Sequence, residues 1–272
     1  MRKLWTILLY FLLVGVLVAL AVPFLWMLSA SFKEQSDIFR SPPEIVSDAP
    51  TMLNYVRLFV EYNFLRHFRN SVYIGVVQTL LNIFLSALAG FAFAKYAFRL
   101  KNFLFLVLLG SMMIPMHTTF VPLFQLAIKL NLVDKFAAVI LPGVVGAFGI
   151  FFMRQHMESI PDELLDAGRI DGTSEFGAFL RIALPLVRPA LMILAVISFI
   201  NSWNNYVWPM IVIRSREMQP LPVMLAGLVG LYRMEHGILM AGAFLSALPV
   251  LLLFSLFQRY FVQGILQGAV RG

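Results

Sequence analysis

The chain has 272 residues, of which 60% are hydrophobic and 13% are charged, with a formal net charge of +7 and no cysteine. Soluble domains carry about 25% charged residues, so this composition excludes a soluble enzyme and a disordered protein. The absence of cysteine excludes a disulfide scaffold, thiolate metal sites and a cysteine nucleophile. A basic excess in a membrane protein usually sets topology, so we do not expect nucleic acid as a partner.

Six stretches without Asp, Glu, Lys or Arg predict six membrane-spanning helices. A spanning helix needs about 20 mostly apolar residues, and the six stretches reach or approach that length. They cover residues 4–32, 71–94, 102–128, 136–153, 189–213 and 237–258. We therefore predict an all-α, polytopic membrane protein with six transmembrane helices, and we treat residues 1–272 as a single transmembrane domain.

Two apolar segments could be misassigned. The first stretch follows Arg2 and Lys3, as a secretory signal would, but it is far longer than the roughly 7–15 apolar residues of a signal peptide. We interpret it as a retained span. Residues 218–232 are uncharged but too short to span, and they contain Pro220 and Pro222, so we interpret them as a re-entrant or interfacial loop.

Basic residues predict which side of the membrane each loop occupies. Three segments are basic and contain no acidic residue: Arg2 with Lys3, the loop at 95–101, and the tail with Arg259 and Arg271. Cytoplasmic loops carry the excess of Lys and Arg. We therefore expect both termini, and the loop at 154–188 between spans four and five, to be cytoplasmic.

The predicted spans contain one ionisable side chain, His117. Pumps and ion-driven transporters usually need ionisable groups at membrane depth, so their scarcity argues against an autonomous pump. We interpret His117 as a hydrogen-bonded packing residue rather than a proton relay. His67, His117, His156 and His236 fall in four separate segments, so no metal site and no membrane-embedded enzyme is expected.

Uncharged polar residues are plentiful in the predicted spans. Amide and aromatic side chains together suit a neutral polyol or sugar, because rings cover C–H faces while amides replace hydration. Two alternatives remain open: hydrogen bonds that join helices, and an aromatic belt at the membrane surface. The candidate residues for a solute path are Gln78, Asn82, Asn201, Trp203, Asn204, Asn205 and Tyr206.

Residues 159–185 predict a helical hairpin on the cytoplasmic side. Ser159 followed by Asp162 is typical of a helix start, Gly172 ends that helix, and Thr173 or Ser174 can cap a second one. The apolar residues of the second helix are expected on one face: Phe176, Phe179, Leu180 and Ala183. The hairpin is too small to have its own core, so it packs on the membrane domain or a partner, or it is a simple connector.

This segment resembles a known family. Asp166-Ala167-Gly168, then Gly172, followed by Ile182-Ala183-Leu184-Pro185, resembles the Glu-Ala-Ala loop of binding-protein-dependent ABC importer permeases. Asp166 replaces the usual Glu and Gly168 the second Ala, which keeps the charge and the small size. The likeness covers nearly the whole chain, including 202–209 and the tail at 258–264, and it is strongest for the maltose-type permease of the carbohydrate-uptake branch.

The resemblance implies a function and a set of partners. It implies an inner-membrane permease subunit that imports a sugar, oligosaccharide or related polyol together with a second permease, two ATPase subunits and an extracytoplasmic solute-binding protein. The chain lacks a phosphate-binding G-x-x-x-x-G-K-[ST] motif, so we expect it to bind no cofactor and its partner ATPase to use ATP and Mg. The implied ATPase-coupling residues are Asp162, Glu163, Asp166, Ala167, Gly168, Arg169, Asp171, Gly172, Glu175 and Phe176. The alternative is an ion-coupled secondary transporter.

Overall fold

The computed structural model describes residues 2–40, 49–230 and 235–269. The all-α prediction is confirmed, since this part of the chain is helical and contains no β-strand. Arg271, the side chains of 260–264 and the last two residues of 218–232 lie outside the described residues. The helices are α1 (Arg2–Ser31), α2 (Leu53–Val60), α3 (Phe64–Lys95), α4 (Lys101–Ser111), α5 (Phe120–Lys129), α6 (Phe136–Ile140), α7 (Ala147–Glu158), α8 (Asp162–Ile170), α9 (Glu175–Ala178), α10 (Leu184–Leu186), α11 (Arg188–Trp203), α12 (Val207–Val212), α13 (Leu221–Gly227) and α14 (His236–Ala269).

Among the described residues, three helices are long and apolar enough to cross a membrane unbroken, within Lys3–Ser31, Phe64–Lys95 and His236–Arg259. Three more candidates are pairs of helices bent by more than 40° at a short break, which brings the total to six if each pair is one span. Their bends are 96° between Lys101–Ser111 and Met116–Lys129, 43° between Phe136–Gly143 and Ala147–Glu158, and 83° between Glu175–Leu186 and Arg188–Trp203.

The first two bends interrupt the spans predicted at 102–128 and 136–153, and the third lies just before the span predicted at 189–213. Pro115 is extended (φ −60°, ψ 128°) and lacks the N–H that would continue α4. Gly146 is also extended before α7. The fifth span ends early, because α11 stops at Trp203 and α12 starts only at Val207. An apolar run shows that a segment is membrane-compatible but does not locate such breaks.

The chain divides into two compact units, and the assignment of the whole chain to one permease domain stays a prediction. The first unit comprises Met1–Phe68 and Val223–Pro249. In it, Asn54 of α2 donates hydrogen bonds to the carbonyls of Ser31 and Lys33 at 2.9 and 2.7 Å. Arg57 forms an ion pair with Glu235 at 3.0 Å. These contacts attach α2 to the end of α1 and to the residue before α14.

The second unit comprises Arg69–Pro222 and Val250–Gly272. In it, α3 and α7 approach closely at Gly90, where a Cβ atom would lie 2.8 Å from the backbone nitrogen of Arg154. A buried apolar cluster surrounds this approach and continues into the segment after α7, with Phe91, Met153, Met157, Leu165 and Phe179 among its members. The unit therefore holds the predicted hairpin against α3 and α7 by a shared core.

Candidate functional site

The predicted hairpin is present as α8 and α9 joined at Gly172. Gly172 has φ +80°, a left-handed conformation that glycine adopts without strain. Ser174 caps α9, because its hydroxyl accepts a hydrogen bond from the Gly177 nitrogen at 3.1 Å. The prediction that Ser159 starts α8 is wrong: its hydroxyl donates to the carbonyl of His156 at 2.8 Å, at the end of α7. The extended Pro161 separates the two helices.

The two arms of the hairpin pack tightly on each other. Gly168 of α8 is buried, and a Cβ atom there would lie 2.4 Å from the Cδ1 atom of Ile182. After α9 the chain forms a π-helical turn, Phe179–Ala183. The four apolar residues expected on one face of the second helix are divided here. Phe179 and Ala183 are buried, whereas Phe176 and Leu180 are exposed.

Charged side chains join the two ends of α8 to their neighbours. The Arg169 guanidinium donates to both carboxylate oxygens of Glu175, at 2.9 and 3.1 Å, and to Asp166 at 2.7 Å. At the other end, Lys95 donates to Asp162 at 2.7 Å. The hydrogen bond from Lys95 holds the pKa of the exposed Asp162 carboxyl below its usual value. Each end of α8 therefore carries an ion pair, Lys95 with Asp162 at its start and Arg169 with Asp166 and Glu175 at its end.

The outward face of the hairpin is exposed and partly apolar. Ile170 is 86% exposed, and Leu164 and Phe176 are about half exposed. Of the ten residues assigned to ATPase coupling, nine are exposed and Gly168 is buried. Exposed apolar side chains that lie together among charged ones are typical of a protein-binding surface. The structure therefore brings the ten residues together, and their contact with an ATPase stays a prediction.

A separate cavity of about 640 Å³ lies in the same unit. Six of the seven candidate solute-path residues line it: Gln78, Asn82, Asn201, Asn204, Asn205 and Tyr206. The other lining residues are Met116, His117, Phe120, Pro142, Gly143, Val145, Gly146, Phe148, Gly149, Leu194, Ile197, Ser198 and Val207. No Asp, Glu, Lys or Arg is among these lining residues of the described chain.

Trp203 lies outside the cavity lining. It is 3% exposed and stacks on Phe199, with ring centroids 5.5 Å apart. Because α-helical residues two positions apart point in different directions, Trp203 cannot share the face of Asn201. Another tryptophan nearby, Trp208, is buried and donates to the carbonyl of Ala138 at 2.8 Å. The indole rings of Trp203 and Trp208 therefore contribute to the packing of this unit and do not line the cavity.

Polar contacts across helices hold the cavity wall in place. Asn82 of α3 donates to the carbonyls of Gly143 and Val144 at 3.3 and 3.2 Å. Its side-chain oxygen accepts from Ser198 of α11 at 2.8 Å. Ser202 donates to the side-chain oxygen of Gln78 at 3.1 Å. Some of the candidate polar residues therefore join helices by hydrogen bonds, which was one of the two alternatives to a solute path. The more exposed candidates face the cavity.

His117 is a cavity residue that the sequence placed in a packing role. It lies in the 3₁₀ turn Met116–Thr119 at the 96° bend between α4 and α5, and it contacts Phe120 edge-on at 5.3 Å. The signal that could have located it was Pro115, because a proline inside an apolar run breaks the helix, here two residues before His117.

Comparisons with known proteins agree with these features. The model of the family "Binding-protein-dependent transport system inner membrane component" matches residues 82–267. The chain is 41% identical over 253 residues to the arabinooligosaccharides transport system permease protein AraQ of Halalkalibacterium halodurans, covering 92% of this chain and 91% of that protein. It is 34% identical over 249 residues to the lactose transport system permease protein LacG of Rhizobium radiobacter, covering 92% and 90%.

A solved structure shares the fold. It is described as a bacterial ABC transporter involved in the import of the acidic polysaccharide alginate. The TM-score is 0.81 with 22% sequence identity, over 95% of this chain and 97% of that one.

Proposed function

The chain belongs to the family of inner membrane components of binding-protein-dependent transport systems, and from this premise we propose that it helps to import a neutral oligosaccharide. It is a transport permease subunit and not an enzyme, and its family favours an ATP-driven importer over the ion-coupled alternative. The helices able to cross a membrane agree with a location in the inner membrane.

The uncharged cavity carries the proposal that the solute is neutral. Amide side chains of Asn201, Asn204 and Asn205 can replace the water that hydrates sugar hydroxyls, and Tyr206 and Phe120 offer apolar ring surface. An acidic solute would find no Lys or Arg among the lining residues of the described chain to pair with its carboxylates. The names of the relatives AraQ and LacG, which refer to arabinooligosaccharides and lactose, support the same class.

The hairpin supports a partner ATPase as the source of energy. Its apolar residues Leu164, Ile170 and Phe176 are exposed beside charged groups, as a docking surface requires. We propose that this surface binds one of two ATPase subunits, which use ATP and Mg, and that a second permease completes the solute path. An extracytoplasmic solute-binding protein would deliver the solute. In this proposal the hairpin and both termini face the cytoplasm.

A binding screen on the cognate solute-binding protein tests the solute class. The panel contains arabinotriose, lactose, diacetylchitobiose, an alginate trisaccharide and glycerol 3-phosphate, measured by calorimetry. We expect tight binding of at least one neutral sugar and none of either anion. Selective binding of the alginate trisaccharide or glycerol 3-phosphate would contradict the neutral class.

Co-purification tests the class of transporter. After mild solubilisation, this chain should bring down a nucleotide-binding subunit and a second permease. If the chain alone, reconstituted in vesicles, takes up solute under an ion gradient without ATP, then the ion-coupled alternative is correct.

A further inference from the structure

The C-terminal end of α3 is bonded to the hairpin at two points. Lys95, the last residue of α3, donates to the carbonyl of Ile160, two residues before α8, and to the carboxylate of Asp162, the first residue of α8. Tyr96, the next residue, donates to the carboxylate of Glu175, the first residue of α9. Two consecutive residues thus reach the start of α8 and the start of α9.

The second point is connected to α8 through Arg169. Its guanidinium makes a bidentate contact with Glu175, the acceptor of the Tyr96 hydroxyl, and binds Asp166 as well. Bidentate guanidinium–carboxylate pairs fix geometry better than single contacts. The chain of contacts from Tyr96 through Glu175 and Arg169 therefore ends on the last turn of α8.

Burial of the Lys95 side chain distinguishes its contacts from an ordinary surface ion pair. Exposed pairs contribute little, but the Lys95 side chain is only 6% exposed and has two acceptors. Apolar contacts support the bonds: Phe91 of α3 packs on Phe179 at 5.4 Å and on the Tyr96 ring at 5.7 Å. Phe91 and Phe179 are almost fully buried.

The same helix carries part of the cavity wall. Gln78 and Asn82 line the cavity and lie on α3, which is continuous from Phe64 to Lys95. Thirteen residues separate Asn82 from Lys95, about 20 Å of helix. The hairpin follows α7 and precedes α11 in the chain, but its connection to α3 is non-covalent.

We propose that Lys95 and Tyr96 are positioning residues that bind α3 to the hairpin, so that a displacement of the hairpin moves α3 and its cavity residues with it. This inference rests on the proposed function, in which an ATPase moves the hairpin. A packed helix with fixed bonds at one end moves as a rigid body rather than bending. The cavity wall then responds through α3 as well as through α7 and α11.

Distance measurements between two spin labels test the inference without knowledge of the solute. The chain has no cysteine, so Leu80→Cys on α3 and Arg181→Cys in the π-helical turn of the hairpin give unique, exposed sites. Neither residue is among the ten assigned to ATPase coupling. The whole complex is used, with reactive cysteines of the other subunits replaced. The distance is measured without nucleotide and after trapping with ATP and vanadate, and the trapped nucleotide is quantified in the same sample.

For the chain that carries only the two labels, we expect a narrow distance distribution with the same mean in the nucleotide-free and the trapped state. In Lys95→Met/Tyr96→Phe we expect a broader distribution that shifts by several ångströms between the states. Lys95→Arg should keep the narrow distance, and so should Arg99→Met, which removes an exposed positive charge from the same loop. Tyr96→Phe alone keeps the ring contact with Phe91 and serves if the double variant does not fold.

Two results would overturn the inference while leaving the proposed function intact. One is a state-dependent distance in the unaltered background, and the other is a double variant that stays narrow and equal in both states. By contrast, a complex that contains no nucleotide-binding subunit, or traps no nucleotide, overturns the proposed function and this inference with it.

Discussion

The hairpin and the cavity lie in one unit but are built by different kinds of contact. Inside the hairpin, Arg169 binds Glu175 six residues away, and the Ser174 hydroxyl accepts a hydrogen bond from the Gly177 nitrogen three residues away. In the cavity wall, Asn82 binds the Gly143 carbonyl 61 residues away, and Ser202 binds Gln78 across 124 residues. A local element of this kind can be identified from its own sequence, whereas the cavity exists only after α3, α7 and α11 pack.

This comparison also separates two kinds of function. The hairpin presents exposed charged and apolar side chains, which suits a large protein partner. The cavity presents uncharged amides and rings, which suits a small neutral solute. The predictions below alter one region at a time and follow in order of decreasing expected effect.

The largest effect is expected at the turn of the hairpin. Gly172→Pro cannot keep φ at +80°, because proline is restricted to about −65°. We expect the chain to insert but transport to fall by about tenfold or more, within the range of typical coupling free energies. Transport in reconstituted vesicles and the amount of bound ATPase are measured together.

Gly172→Asn is the matched control, since asparagine tolerates the left-handed conformation. It should keep most of the transport activity. Unchanged ATPase binding and solute-stimulated turnover in Gly172→Pro would contradict the coupling role of the hairpin.

A smaller effect is expected in the cavity. Asn201→Ala and Asn204→Ala each remove a polar side chain from the lining, and we expect a loss of about 2- to 13-fold in apparent solute affinity, since a net hydrogen bond contributes about 0.5–1.5 kcal/mol. Trp203→Phe should lower the thermal stability of the complex without changing its selectivity, because Trp203 packs on Phe199 outside the lining. Competition assays with the solute panel measure affinity and selectivity, and thermal unfolding of the complex measures stability.

If the alanine variants at Asn201 and Asn204 leave transport rate and selectivity unchanged, the aromatic-belt alternative accounts for this segment. If Trp203→Phe changes selectivity, the sequence-based inclusion of Trp203 in the solute path is correct despite its burial.

The smallest effect is a pH dependence at the start of α8. The bond from Lys95 lowers the pKa of Asp162 in the folded chain, so its stabilising contribution is complete at neutral pH. It is lost only as the pH falls below the ordinary carboxyl pKa of about 3.9 and through the lowered value. Asp162→Asn should therefore reduce the acid sensitivity of the hairpin, measured by hydrogen exchange in α8 at a series of pH values. Equal acid sensitivity in the two proteins would argue against the Lys95 contact.

Much of the architecture could be predicted because the responsible signals are local. Uncharged runs located the membrane-compatible segments, and Gly172 with Ser174 located the hairpin. The misassigned start at Ser159 had a local cause as well, since a serine that ends one helix resembles one that begins the next. The breaks near Pro115 and Gly146 were missed because an apolar run does not record backbone direction.

Composition and short-range pattern by themselves determined the membrane class, the helical content and the hairpin, because the hydropathy of a segment and the capping of a helix are set by consecutive residues. Only the tertiary structure decided that Trp203 turns into the core while Asn201 faces a cavity, and that Lys95 and Tyr96 reach α8 and α9. Those outcomes depend on where a helix rotates and what packs against it, and distant segments of the chain supply that information.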